Sequence, residues 1–201
     1  EAVSSLTSGA NTPGITDGTW GDYQEGRRFT YEDGTAAADR WERIMGKWYY
    51  FNPEGYAVTG WNQIQNTWYY MYPSGMMATG WVQVGDAWYY MYPSGAMATG
   101  WLLDGTTWYY MDPSGWMRTG WVLVGDTWYY MYPSGMMATG WALVGDTWYY
   151  LTPGNGAMAT GWLLLGNTWY YLTPGNGAMV TGTQVIDGVE YTFFSDGRCD
   201  W

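Results

Sequence analysis

Apolar and polar residues alternate in short runs along most of this 201-residue chain, and the pattern recurs about every twenty residues. In the copy from Gly120 to Thr139, the runs Trp121–Val124 and Trp128–Met131 are separated by Gly125-Asp126-Thr127. Trp, Tyr and Val favour strands, and a Gly-Asp pair is typical of a tight turn. Each repeat therefore predicts one β-hairpin. Strand alternation places the Trp and the second Tyr of Trp-Tyr-Tyr-Met on one face, and the first Tyr and the Met on the other.

Tryptophan marks the repeat at two positions that are seven residues apart. The first Trp lies at positions 41, 61, 81, 101, 121, 141 and 162, and Trp-Tyr-Tyr triplets begin at 48, 68, 88, 108, 128, 148 and 169. A fixed period of this size is typical of stacked repeats, because one short unit cannot bury its own apolar face. We therefore predict an all-β fold, a β-solenoid of stacked β-hairpins with about one hairpin per 20-residue repeat.

The two ends of the chain depart from the repeat. Residues 1–19 are rich in Ser, Thr, Gly and Asn, and we expect a linker or flexible N-terminal segment. We assign 20–201 to one repeat domain, in which 20–40 and 182–201 are degenerate end repeats, as expected where a terminal face meets water. The first residue is Glu, so we expect either a processed secreted form or a piece of a longer protein.

Composition narrows the possible partners. The chain has 17 Trp and 21 Tyr but only 4 Phe, and its net charge is −11 with only seven Lys and Arg. Nucleic acid needs basic residues, so we exclude it and favour a cationic ligand. The absence of His and the single Cys argue against a metal site and a catalytic base. No apolar run approaches the ~20 residues of a transmembrane segment.

The Trp pair of each hairpin has two interpretations. The indoles should be cross-strand neighbours, so they could stabilise the sheet by packing alone. They could equally form a binding surface, and spacing does not decide between these. The preference for Trp over Phe favours binding, because an indole face is the best side-chain surface for a cation.

The pattern G-W-x6-W-Y-Y-x4-G-x-M-x-T resembles the choline-binding repeat of Gram-positive cell-surface proteins, which include pneumococcal autolysins and adhesins. The resemblance covers roughly residues 20–201. It implies a left-handed β-solenoid with aromatic cages between successive hairpins, which hold the choline of teichoic and lipoteichoic acids. It also implies a secreted, cell-wall-attached surface protein that takes choline as its ligand and uses no cofactor.

By this resemblance, each cage combines both Trp of one repeat, a Tyr of the next triplet and often a connector Met. The implied groups are Trp61, Trp68, Tyr90 and Met77; Trp81, Trp88, Tyr110 and Met97; Trp101, Trp108, Tyr130 and Met117; Trp121, Trp128, Tyr150 and Met137; and Trp141, Trp148, Tyr171 and Met158. A first group of Trp41, Trp48 and Tyr70 has Ala57 where Met is expected. The last group, Trp162 and Trp169 with Met179, meets Thr192 at the Tyr position, so we expect weak binding or none there unless Tyr191 or Phe193 substitutes.

Other functions stay open at this stage. The chain could bind glucans, since related aromatic repeats stack on sugars, or it could anchor a wall hydrolase whose catalytic domain is absent from the sequence. A structural spacer is a further alternative. We predict no catalysis by the chain itself. Cys199 could be an idle buried thiol or could link a homodimer through the C-terminal end.

Overall fold

The computed structural model describes residues 14–200, and these residues form nineteen strands and no helix. The strands are β1 (Thr19–Tyr23), β2 (Gly26–Thr30), β3 (Arg40–Ile44), β4 (Lys47–Phe51), β5 (Gly60–Ile64), β6 (Thr67–Met71), β7 (Gly80–Val84), β8 (Ala87–Met91), β9 (Gly100–Asp104), β10 (Thr107–Met111), β11 (Gly120–Val124), β12 (Thr127–Met131), β13 (Gly140–Val144), β14 (Thr147–Leu151), β15 (Gly161–Leu165), β16 (Thr168–Leu172), β17 (Gly182–Ile186), β18 (Val189–Phe193) and β19 (Cys199–Asp200).

Consecutive strands pair into antiparallel hairpins, and β17, β18 and β19 form one three-stranded sheet. The hairpin turns have two residues, as between Val84 and Ala87, which pair directly. Gly85 begins this turn with φ of 63°, a left-handed conformation that glycine adopts without steric cost. In the β5–β6 turn, Gln65 and Asn66 both have positive φ. The predicted hairpin in each repeat is confirmed.

Each hairpin buries the residue that ends its second strand. These residues follow the Trp-Tyr-Tyr triplets and are fully buried; they are Phe51, Met71, Met91, Met111, Met131, Leu151 and Leu172. A two-stranded hairpin is marginal in water, so such burial between neighbouring hairpins supplies the stability that each lacks alone. The core is therefore divided into small clusters along the chain.

The chain divides into two compact units. The first contains the residues through Gly100 together with Met111–Met117, and the second contains Trp101–Tyr110 and the chain from Arg118 onwards. Within each unit, the connector after a hairpin bonds to the preceding hairpin. In the first unit the Met97 amide donates to the Trp68 carbonyl at 2.9 Å, and in the second the Met158 amide donates to the Trp128 carbonyl at 2.8 Å.

The all-β class and the stacking of hairpins of about twenty residues are thus confirmed. The left-handed sense of the solenoid stays a prediction from the resemblance. Of the predicted linker 1–19, residues 1–13 lie outside the described residues. Ile15 pairs with Ile44, and Thr19 begins β1, so this part of the segment contacts the repeats. Among residues 14–200, no helix has the length and hydrophobicity to cross a membrane.

Candidate functional site

The two Trp of each repeat lie on the same face of their hairpin. In β11–β12, Trp121 pairs with Tyr130 and Leu123 pairs with Trp128, so all four side chains share one face. Trp61 and Trp68 adopt the same arrangement, with ring centroids 6.5 Å apart and planes at 82°. The pair therefore forms two perpendicular walls.

The second Trp of the pair is open to solvent. Trp128 exposes 38% of its surface and Trp68 exposes 42%, whereas Trp121 and Trp61 are half-buried. Aromatic side chains that only filled a core would be buried. The exposure of these indoles therefore argues against packing as their sole role.

The next hairpin supplies a third ring. Tyr149 lies against Trp121 with centroids 4.7 Å apart and planes at 69°. Four other contacts repeat this geometry at 4.6 to 5.0 Å; they are Trp41–Tyr69, Trp61–Tyr89, Trp101–Tyr129 and Trp141–Tyr170. Such edge-to-face contacts fix the angle of the indole and leave the remaining ring surface facing the cleft.

A connector methionine closes the fourth side. The Met158 amide donates to the Trp128 carbonyl, and Met158 lines the same cleft as Trp121, Trp128 and Tyr149. Met77 and Met179 make the same backbone bond to Trp48 and Trp148. The thioether is a soft, polarizable wall beside the rings.

Three clefts built in this way have volumes of about 490, 280 and 270 Å³. Their first Trp are Trp61, Trp101 and Trp121, and a later connector completes each mouth, with Pro113 and Ser114 at the Trp61 cleft. None of the residues that line these three clefts carries a charge. A cation held there would contact ring faces and backbone dipoles, and no carboxylate.

The structure selects a different Tyr from the one implied by the sequence. The prediction assigned Tyr150 to the Trp121 pair, but Tyr150 pairs with Trp141 in its own hairpin at 5.1 Å. Alternation along β14 puts Tyr149 on the opposite face, toward the preceding hairpin. The same shift applies to the other predicted tyrosines, which lie beside the Trp of their own repeats; they are Tyr70, Tyr90, Tyr110, Tyr130 and Tyr171.

The methionines are shifted by one repeat. The prediction joined Met137 to the Trp121 pair, but Met137 bonds to Trp108 and lines the Trp101 cleft. Met97 likewise lines the Trp61 cleft, where Met77 was expected. The reason is that each connector Met bonds one hairpin further back than predicted: Met137 follows the Trp121 hairpin in the chain but bonds to the Trp101 hairpin before it. The Trp41 pair, expected to lack a methionine, packs against Met77 and Tyr69.

The pair Trp81 and Trp88 belongs to the first unit. The Met117 amide donates to the Trp88 carbonyl at 2.8 Å, and Trp88 exposes 41% of its surface. Its grouping with Tyr110 and Met97 stays a prediction from the sequence.

The C-terminal pair has substitutes at both remaining positions. The ring centroid of Tyr191 lies 4.8 Å from that of Trp162. Tyr191 therefore takes the place of the third ring, and the Tyr position of this group is residue 191, not Thr192. Cys199 pairs with Phe193 as Met97 pairs with Met91, and it packs in a cluster with Trp162 and Trp169. The sequence prediction missed Cys199 as a wall, although its spacing from Tyr191 equals that from Tyr89 to Met97.

Burial raises the pKa of three groups near these rings, Tyr50, Tyr69 and Cys199. It raises the pKa of the Tyr69 phenol, which packs against Trp41. It also raises the pKa of the Cys199 thiol, and the nearby Asp200 carboxylate adds to the shift. The shifts disfavour the phenolate and the thiolate further, so neither anion forms in these ring clusters near pH 7. Within residues 14–200, no group of three or more His, Cys, Asp and Glu is arranged to hold a metal ion.

Comparisons with known proteins agree with this geometry. A family model described as the choline-binding repeat matches residues 38–80, 78–117 and 118–161, and a cell wall binding repeat matches residues 160–179. A comparison with curated protein sequences found no match.

Two solved structures are similar over nearly the whole chain. CbpJ from Streptococcus pneumoniae TIGR4 is 36% identical with a TM-score of 0.80, over 92% of this chain and 71% of that chain. Choline binding protein F from Streptococcus pneumoniae, solved in the presence of a peptidoglycan analogue, is 35% identical with a TM-score of 0.80, over 93% and 71%.

Proposed function

This chain belongs to the family of choline-binding repeat proteins, and on that premise we propose that it is a non-catalytic cell-wall attachment module that binds choline. The observation that carries the proposal is the uncharged cleft of two Trp, one Tyr and one Met, which is present at the Trp61, Trp101 and Trp121 pairs. We further propose that the choline is that of teichoic and lipoteichoic acids at the cell surface.

The chemistry of the cleft suits a quaternary ammonium. Such a cation donates no N–H hydrogen bond, so a carboxylate offers it no directional advantage. Three ring faces attract its charge and also accept its methyl groups, and each contributes about 0.5–2 kcal/mol. The Trp101 and Trp121 clefts, at about 280 and 270 Å³, are smaller than the ~300–1,000 Å³ of drug-sized sites, which favours a small headgroup there.

We propose six cages whose walls lie within one unit, each made of two Trp, one Tyr and one sulfur-bearing residue. They are Trp41, Trp48, Tyr69 and Met77; Trp61, Trp68, Tyr89 and Met97; Trp101, Trp108, Tyr129 and Met137; Trp121, Trp128, Tyr149 and Met158; Trp141, Trp148, Tyr170 and Met179; and Trp162, Trp169, Tyr191 and Cys199. We assign Trp81 and Trp88 to a further cage on their sequence alone.

Repetition gives such a protein its strength of attachment. One cage is weak, but a polymer that carries many cholines engages several cages at once, and the avidity gain reaches ~10²–10⁴. The net charge of −11 favours a cationic partner over a polyanion such as nucleic acid. A homodimer through the C-terminal end stays a prediction, and the burial of Cys199 does not favour a disulfide there.

Retention on a quaternary-amine resin tests this proposal against glucan binding. In salt that suppresses ion exchange by the net charge of −11, we expect the chain to bind the resin and to elute with free choline, and to pass through a dextran column. Retention on dextran, with no elution by choline, would favour sugar stacking. Whether the chain anchors a wall hydrolase is tested separately, by sequencing the complete gene.

A further inference from the structure

The first degenerate repeat has the frame of a ligand cage. In β1–β2, Trp20 pairs with Phe29 and Asp22 pairs with Arg27. In the regular hairpin β3–β4, the corresponding pairs are Trp41 with Tyr50 and Arg43 with Trp48. Arg27 therefore occupies the position of the second Trp, while Trp20 keeps the position of the first.

The other walls of this cage are also present. Tyr49 lies 4.8 Å from Trp20, which matches the 4.9 Å between Trp41 and Tyr69 in the next repeat. The Ala57 amide donates to the Arg27 carbonyl at 2.8 Å, in the way that connector methionines bond to the second Trp elsewhere. The backbone and two aromatic walls are thus those of the regular cages.

The Arg27 guanidinium lies over the Trp20 wall of this cage. Its central carbon lies 4.3 Å from the centroid of the Trp20 ring. Its Nε donates to Asp22 at 3.0 Å, and its Nη1 donates to the backbone carbonyl of Ser74 at 3.0 Å. Ser74 corresponds in the repeat to Ser114, which lines the mouth of the Trp61 cleft. The Arg27 side chain therefore extends from the Trp20 ring to the connector residue at the mouth of the cage.

We infer that the N-terminal repeat is a cage for a quaternary ammonium that the chain fills with its own guanidinium. This inference deepens the proposed function and rests on it. A guanidinium is weakly hydrated and stacks on indole, so it is a good internal substitute for a methylated ammonium. Because it is tethered, its effective concentration is on the order of millimolar or higher, and free choline must displace two hydrogen bonds as well.

Arg27 thereby ends the row of choline-binding cages at the N-terminal repeat. The regular cages take an external cation, whereas this one is closed by an intramolecular one. The ion pair with Asp22 is largely exposed, at 33% for Arg27 and 82% for Asp22, so it does not account for the placement by itself. The ring contact and the Ser74 bond direct the guanidinium into the cage.

The test follows the indole N–H signals of assigned Trp residues by NMR during choline titration. In the unaltered chain, we expect the Trp61 and Trp121 signals to move and the Trp20 signal to stay fixed. Arg27→Trp restores the second indole. In this variant, the choline concentration that half-saturates the Trp20 signal should be within about threefold of the concentration that half-saturates the Trp61 signal. In Arg27→Ala the Trp20 signal should move at about tenfold higher choline, because one ring is missing. Arg40→Ala removes a positive charge from the adjacent strand and should leave Trp20 fixed.

A second arm keeps the inference testable if Arg27→Trp does not fold. Methylguanidinium should move the Trp20 signal in Arg27→Ala and not in the unaltered chain. Two results would overturn the inference. One is a Trp20 signal that moves with choline in the unaltered chain. The other is a Trp20 signal that stays fixed with both cations in folded Arg27→Trp and in Arg27→Ala. If choline moves no Trp signal in the unaltered chain, the proposed function fails, and the methylguanidinium arm still decides whether Arg27 fills a cation site.

Discussion

Trp121 and Tyr149 lie edge to face with their ring centroids 4.7 Å apart, although they belong to successive hairpins. The contact holds the indole so that its free surface faces the cleft shared with Trp128 and Met158. A cage of this kind belongs to neither hairpin alone. It follows that a substitution in one hairpin should change binding at the cleft of the preceding one.

Trp128→Ala should remove one choline site and leave the chain folded. Trp128 exposes 38% of its surface, so its loss empties little of the core, but it takes away one ring worth about 0.5–2 kcal/mol. We expect roughly 3- to 30-fold weaker binding at this cage. Calorimetric titration with choline measures it. Leu123→Ala is the matched control, because Leu123 is the cross-strand partner of Trp128, is 51% exposed and does not line the cleft.

The same contact separates the two tyrosines of each triplet. Tyr149→Ala should weaken choline binding at the Trp121 cage and spare the Trp101 cage, since Tyr149 faces Trp121 while Tyr129 faces Trp101. Tyr149→Phe keeps the ring and should bind as the unaltered chain does. The indole signals of Trp101 and Trp121 in a choline titration distinguish the two cages. An unchanged Trp121 response in Tyr149→Ala contradicts the assignment of Tyr149 as a wall.

The choice of tyrosine was within reach of the sequence. Strand alternation alone places Trp148 and Tyr150 on one face and Tyr149 on the other. The family resemblance implies the last Tyr of the triplet, which the alternation places beside the Trp residues of its own hairpin. The methionine was not within reach, because nothing in the repeat states that the connector carrying Met158 bonds back to Trp128. Such a contact depends on the path of the connector in three dimensions, which spacing does not determine.

The hairpins and the positions of their turns were predictable for a different reason. The Trp-Tyr-Tyr triplet is a local signal that occurs seven times, and the turn between the strands is Gly-Asp in three repeats and a related pair with Gly or Asn in others. Arg27 shows the limit of such signals. Its place at the second Trp position follows from register, but its contact with the carbonyl of Ser74 depends on a connector far along the chain.

Gly115→Ala should alter the Trp61 cage through Met97. A Cβ at Gly115 would lie 2.5 Å from the Met97 sulfur, so the flexible thioether must move out of its wall position. We expect roughly 2- to 10-fold weaker choline binding there, from a sulfur–aromatic contact of about 0.3–1.5 kcal/mol. The Trp61 indole signal in a choline titration measures the change.

Gly120→Ala is the control that distinguishes the effect of backbone strain from the effect of displacing Met97. Gly120 has φ of 74°, close to the 85° of Gly115, but a Cβ there meets nothing within 4 Å. Both substitutions should lower the free energy of unfolding by about 1–2 kcal/mol, because both place alanine in the left-handed region. Only Gly115→Ala should change the Trp61 response, and equal responses in the two variants would rule out the displacement.

The Cys199 thiol should react slowly in the folded chain. Burial raises its pKa, and Asp200 adds to the shift, so the thiolate fraction at a given pH is lower than in the unfolded chain. The rate of alkylation by iodoacetamide at pH 8, followed by mass spectrometry, should be well below the rate in urea. It should rise with pH beyond the point at which the rate of the unfolded thiol levels off. Equal rates in the two states would show that Cys199 is accessible.

Methylation of the ligand nitrogen should govern affinity. Ethanolamine keeps three N–H donors that need acceptors, and the clefts offer no carboxylate to replace water. Choline should therefore half-saturate the indole response at a concentration at least about tenfold lower than ethanolamine. Tetramethylammonium should compete with choline, because it presents the same methyl surface. Equal half-saturation by choline and ethanolamine would indicate that charge alone is recognised.

The most direct measurement is the nuclear Overhauser effect between the N-methyl protons of bound choline and the aromatic protons of assigned residues. The cage predicts cross-peaks from these methyl groups to Trp121, Trp128 and Tyr149 together, and none to Leu123, which does not line the cleft. Cross-peaks to Leu123 and not to the two indoles, or a saturating choline titration that leaves all three rings without a cross-peak, would contradict the account.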